Sequence, residues 1–111
     1  MESYLRQVMI LLDDNNVHIS VITRMELLSW SGSIEKQTEI LEEFVSLSQV
    51  FNLSESIIQE TIKVRKAFAT KLPDAIIAAT ALTHDFTLVT RNTKDFNRIT
   101  GLKVVNPHNV E

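Results

Sequence analysis

Residues 9–18 read MILLDDNNVH: an apolar run from Met9 to Leu12, then two aspartates and two asparagines. A strand that delivers an aspartate to a metal site has this form, and so does a helix that runs out into a polar turn. Upstream, Tyr4, Leu5, Val8, Met9, Leu11 and Leu12 recur at roughly helical spacing. That spacing predicts a helix from Ser3 to Leu12, closed by the turn-forming cluster Asp13 to Asn16.

Working outward, HISVIT (His18 to Thr23) is β-branched, follows the turn, and reads as a short buried strand. Thr23 and Glu26 fit a capping box and start a helix that is expected to break at Gly32. Ile34 to Leu47 is an amphipathic helix with glutamates on its wet face, and VFNL (50–53) is a weak strand. Ser54 suits the N-cap of a long helix ending near Thr70. Pro73 suits the first turn of the next helix, PDAIIAATALTHD, whose almost wholly apolar body demands burial. FTLVT (86–90) is a further strand, Asn92 to Asp95 opens a short helix, and LKVVN (102–106) supplies the last strand. Strands that alternate with helices imply an α/β sandwich around a parallel sheet, here as one domain over residues 1–111.

Composition narrows the function classes. The 111 residues are 44% hydrophobic, enough for one core. Cysteine is absent, which excludes disulfides and thiolate metal sites and fits a reducing cytoplasm. Apolar runs are too short to cross a bilayer, and the first residues lack the basic-then-apolar order of a signal peptide, so no membrane partner is expected. A net charge of −3 argues against a general nucleic-acid coat protein. Glu35, Glu39, Glu42 and Glu43 make the middle acidic, whereas most basic residues fall between Lys63 and Lys103. Solvated helix faces account for that asymmetry, and so does a basic rim on an acidic body.

In sheets of this kind, working residues follow the carboxyl ends of strands. Glu26, Asp74 and Asp95 hold such positions. Each has a purely structural explanation as a first-turn acid that caps or complements its helix. Asp74 stands out, because the helix around it is so apolar that its charge needs a partner or a cation. Converging carboxylates with Asn or Thr oxygens form a hard oxygen site suited to Mg²⁺ or Mn²⁺, the metal chemistry used to cut phosphodiesters.

Leu72 to Phe96, LPDAIIAATALTHDFTLVTRNTKDF, closely resembles the C-terminal signature of PIN-domain ribonucleases of the VapC toxin type. ISVITRMEL (19–27) resembles their second conserved segment. The resemblance spans nearly the whole chain in order and spacing. It implies a three-layer α/β/α sandwich with a central parallel sheet, a Mg²⁺ (or Mn²⁺) site of about four acids, cleavage of RNA, a cognate antitoxin partner and a homodimer. Glu26 falls on the family's second acid and Asp74 on its third. The fourth lies at Asn92 or Asp95, with Thr90 close by. Arg91 and Lys94 then become the candidates for contact with substrate phosphate.

The first acid of the family ends a central first strand, in a segment like LLDTN. LLDDNN imitates that text, but neighbouring parallel strands need a crossover of at least about a dozen residues. Only Asn15 to Val17 separate Asp14 from HISVIT. Asp13 and Asp14 are therefore assigned to a turn outside the site, and the first strand is expected to be missing. Its absence would leave a gap between HISVIT and TLVT, to be closed by the two neighbours, by a second copy, or by an upstream peptide. Two functions follow from this: a metal-dependent endoribonuclease with an incomplete site, or an inactive PIN-like module that binds an antitoxin or another PIN chain.

Overall fold

A computed structural model describes residues 9–14, 16–29 and 35–107. Ten elements follow in chain order: β1 Ile10–Leu12, β2 Val17–Ser20, α1 Val21–Leu28, α2 Glu35–Leu47, β3 Gln49–Phe51, α3 Glu55–Ala67, α4 Leu72–His84, β4 Thr87–Val89, α5 Thr93–Phe96 and β5 Lys103–Val105. The strands form one sheet in the order β3-β2-β1-β4-β5. The outer pairs, β2 with β3 and β4 with β5, are parallel. Helices α1 and α2 make the first crossover and α5 the second. The α/β architecture around a central sheet is thus as expected.

The centre of the sheet differs. Residues 10–12 are strand, not the end of a helix, and β1 lies antiparallel to both β2 and β4. It occupies the place the expected gap would have had, so the sheet is mixed rather than wholly parallel. The length argument against LLDDNN holds only for parallel neighbours, since antiparallel strands can be joined by a tight turn. Asp13 makes that turn: its N–H donates to the Asn16 carbonyl, and its carboxylate accepts the Asn16 N–H at 2.9 Å. The remainder of the expected first helix, and the expected break at Gly32, lie outside the described residues.

Register sorts the side chains by face. Leu11 stands opposite His18 and Leu88, and Leu88 opposite Val104. Leu11 and Leu88 are fully buried, in one core with Ala75, Ile77, Ala78 and Ala81 of α4 and Phe96 of α5. Ile76 and Ala79 pack instead with Ile57 of α3, so the unbroken run Ala75 to Ala81 is buried from both sides. Small residues let α3 and α4 approach closely, which is why this apolar helix is central.

Two helix boundaries depart from expectation. Helix α1 starts at Val21, and its N-cap is Ser20, whose hydroxyl accepts the Ile22 N–H at 3.1 Å. The Thr23–Glu26 capping box therefore does not form, and Thr23 lies buried within the helix. A β-branched run misleads where a strand passes directly into a helix, since VIT suits both by composition. Helix α3 is capped by Ser54 as expected, through a 3.2 Å bond from the Ile57 N–H, but it ends at Ala67 and the chain turns extended at Phe68. Asp85, left-handed at φ 58°, closes α4 and turns the chain into β4.

Candidate carboxylate site

Glu26 lies in the second turn of α1, just beyond the carboxyl end of β2. Asp95 lies in α5, just beyond the carboxyl end of β4. Asp74 follows α3 rather than a strand, because the loop 68–71 separates α3 from α4. It reaches the same end of the sheet because α4 runs back towards the start of β4. The antiparallel β1 points its own carboxyl end the other way: Leu12 pairs with Thr87, the first residue of β4. Asp13 and Asp14 are thereby placed at the opposite end from the three acids, and Asp13 pairs there with the buried His18 at 3.1 Å.

Electrostatics links the three acids in a row. The Asp74 carboxyl is held above its ordinary value by burial first and by the charge of Asp95 second, with Lys71 opposing. Glu26 is raised by burial and then by Asp74. Asp74 is thus the member common to both interactions: Asp95 raises it, and it raises Glu26. Among the described residues no three acidic or histidine side chains surround one point closely enough to hold an ion. Oxygen ligands with negative charge and raised carboxyl pKa nonetheless suit a hard divalent cation, whose charge would relieve the repulsion. The donor set fits a metal in chemistry, although its side chains are not drawn together around one.

The loop after β4 is fixed by its own hydrogen bonds. Thr90 is buried, donates its N–H to the Val105 carbonyl at 3.0 Å, and accepts the Asn92 N–H on its hydroxyl at 3.1 Å. Its side chain therefore shapes the loop from inside. The Asn92 amide donates to the Asp95 carboxylate at 3.0 Å, which orients that acid across the first turn of α5. This replaces the expected cap, since the Asn92 side chain does not cap the helix. Arg91 and Lys94 are exposed on the same segment.

Three residues join the site that sequence reasoning missed. Asp74 and Asp95 face a small cavity of about 90 Å³ with Thr70, Lys71 and Arg98. The Arg98 guanidinium donates to the Ala69 carbonyl and so ties the segment after α5 to the loop before α4. Lys71, three residues ahead of Asp74, is a local signal that could have been read. Arg98 gives none, because its partner lies far away in sequence.

Residues 2–102 match the PIN domain family. A 49-residue stretch, 44% of this chain, is 49% identical to Ribonuclease VapC1 of Rickettsia felis, and the match spans only 35% of that relative. A toxin–antitoxin complex from Klebsiella pneumoniae contains a chain 40% identical to this one, with a TM-score of 0.69, over 81% of this chain and 72% of that one. VapBC2 from Rickettsia felis, bound to a DNA fragment from its promoter, gives 29% identity and a TM-score of 0.73 over 84% and 76%. The five-stranded order, the row of acids from α1, α4 and α5, and these likenesses lead to one conclusion: the chain belongs to the PIN-domain family and is VapC-like.

Proposed function

We propose that this chain is a toxin-type endoribonuclease of a toxin–antitoxin pair, working in the cytoplasm as a homodimer, with its chemistry at Glu26, Asp74 and Asp95. The observation that carries the reading is the elevation of two carboxyls in succession, Glu26 by burial and then by Asp74, and Asp74 by burial and then by Asp95. Such a row is held at a cost to folding, and cation binding offsets it. Glu26, Asp74 and Asp95, with the Asn92 side chain as a neutral donor, would hold Mg²⁺ or Mn²⁺. A divalent cation bound there supplies an activated water and neutralises charge that develops on phosphate. The protein's own contribution is positional: Thr90 and Asn92 fix the loop that presents Asp95, and Arg91 and Lys94 offer exposed cations to the RNA backbone.

A second reading is favoured by the placement of Asp13 and Asp14. With both at the far end of the sheet, three acids remain where the family uses about four, and a strongly hydrated dication is held weakly by fewer ligands. On that reading the chain is an interaction module that binds an antitoxin or another PIN chain without cutting RNA. Cleavage of a structured RNA, titrated with Mg²⁺ and Mn²⁺, separates the two. The enzyme reading expects weak cleavage that rises with metal, is lost in Asp74→Asn, and is unchanged in Asp13→Asn and Asp14→Asn. Cleavage abolished by Asp13→Asn or Asp14→Asn would move the site to the other end of the sheet. No cleavage at any metal concentration, with antitoxin binding retained, would establish the inactive module.

A further inference from the structure

Beside the carboxylates lies a larger groove, about 670 Å³, between the end of α3 and the start of α4. Arg65, Lys66 and Lys71 line it together with Ile62, Phe68 and Leu72, and no acidic residue does. It shares Ala69, Thr70 and Lys71 with the cavity that holds Asp74 and Asp95, so the two hollows adjoin across the loop before α4. The chain as a whole is negative, at −3, yet four of its 11 basic residues, Arg65, Lys66, Lys71 and Arg98, border these two hollows. Arg65 donates to the Thr70 carbonyl at 3.3 Å and Arg98 to that of Ala69, so two guanidiniums are tied to consecutive carbonyls of the connecting loop. The hydroxyl of Thr70, on that loop, is buried without a hydrogen-bond partner.

We infer that this groove is the track that carries a single-stranded segment of RNA to the carboxylates, Arg65, Lys66 and Lys71 meeting its phosphates and Phe68 offering a face to a base. The inference rests on the ribonuclease reading above and names the substrate-binding surface for it. Cations in a row answer a polyanion. A half-buried aromatic ring among them answers an unstacked base, since base stacking tolerates any sequence. Lys71 stands where the two hollows meet, and it offsets the repulsion a phosphate would feel on approaching Asp74. An acidic peptide would satisfy the same cations and could pack apolar side chains on Phe68, Ile62 and Leu72, but its own carboxylates would meet those of Asp74 and Asp95 at the end of the track.

The test is binding of a fluorescein-labelled, unstructured RNA dodecamer to the full chain in EDTA, followed by anisotropy from low to moderate salt, with an acidic peptide as the second probe. Lys66→Gln with Lys71→Gln should weaken RNA binding about tenfold and flatten the salt dependence by about one unit of slope. Phe68→Leu should weaken it about fivefold and leave the slope unchanged. Lys63→Gln, on α3 but outside the groove, should match the unaltered chain. Thermal melts verify that each variant is folded. RNA affinity unchanged in the double variant, or lowered equally by Lys63→Gln, would overturn the track and leave the ribonuclease reading standing. Groove variants that lose the acidic peptide but keep RNA would assign the surface to a protein partner instead. If the unaltered chain binds no dodecamer, the track is overturned, and the metal-titrated cleavage assay decides the ribonuclease reading separately.

Discussion

Asp74 concentrates the conflict between stability and function in one side chain. Its carboxyl is raised by burial and by Asp95. At a pH between the ordinary carboxylate value and the raised one, the folded chain keeps a proton that the unfolded chain has lost. Stability therefore falls as pH rises through that window, and the loss persists above it. Asp74→Asn removes the charge and should raise the melting temperature at pH 7 by about 2–4 °C, a gain that fades as pH falls through that window and is gone below the ordinary carboxylate value of 3.8. Differential scanning fluorimetry across pH reads this directly, and an Asn variant that melts lower at pH 7 would show that the repulsion is already compensated. The same substitution is expected to abolish cleavage, so stability and activity should move in opposite directions.

At the scale of elements, legibility followed how much each segment decides for itself. Helices α2, α3 and α4 were readable because their apolar spacing, the Ser54 cap and Pro73 act within a turn or two. Glu26 and Asp95 follow strand ends as expected, whereas Asp74 follows α3 and reaches that end of the sheet only through the direction of α4. Residues 10–12 were not, because their helical spacing is overridden by two flanking strands whose backbone groups need partners. The cavity beside Asp74 was out of reach for the same kind of reason, since Arg98 arrives there only through the tertiary fold. If β1 is a true central strand, Leu11→Ala should cost about 2–5 kcal/mol in urea unfolding, because Leu11 is fully buried. Leu12→Ala, on the opposite and half-open face, should cost less than half as much. Equal costs for the two would mean that the strand is not held in the described register.

For the whole molecule, the surface of α2 raises the question of association. Ile40 and Leu47, two turns apart on one side of that helix, are 57% and 80% exposed. Covering them by a symmetric contact is the simplest use of such a stripe. Sedimentation at micromolar concentration should show a dimer, and Leu47→Lys should shift it towards monomer at least tenfold in dissociation constant. A monomer in the unaltered chain would leave the stripe without this role. The antiparallel β1 also has a kinetic consequence. In an all-parallel sheet every pairing waits for the closure of a long crossover, whereas the β1–β2 hairpin closes over a four-residue turn, on a microsecond scale. Three of the five strands can then assemble on the N-terminal side and the other two on the C-terminal side. What remains is one seam, Ile10 to Leu12 against Thr87 to Val89, and the core around Leu11 and Leu88 is complete only when those three residue pairs meet.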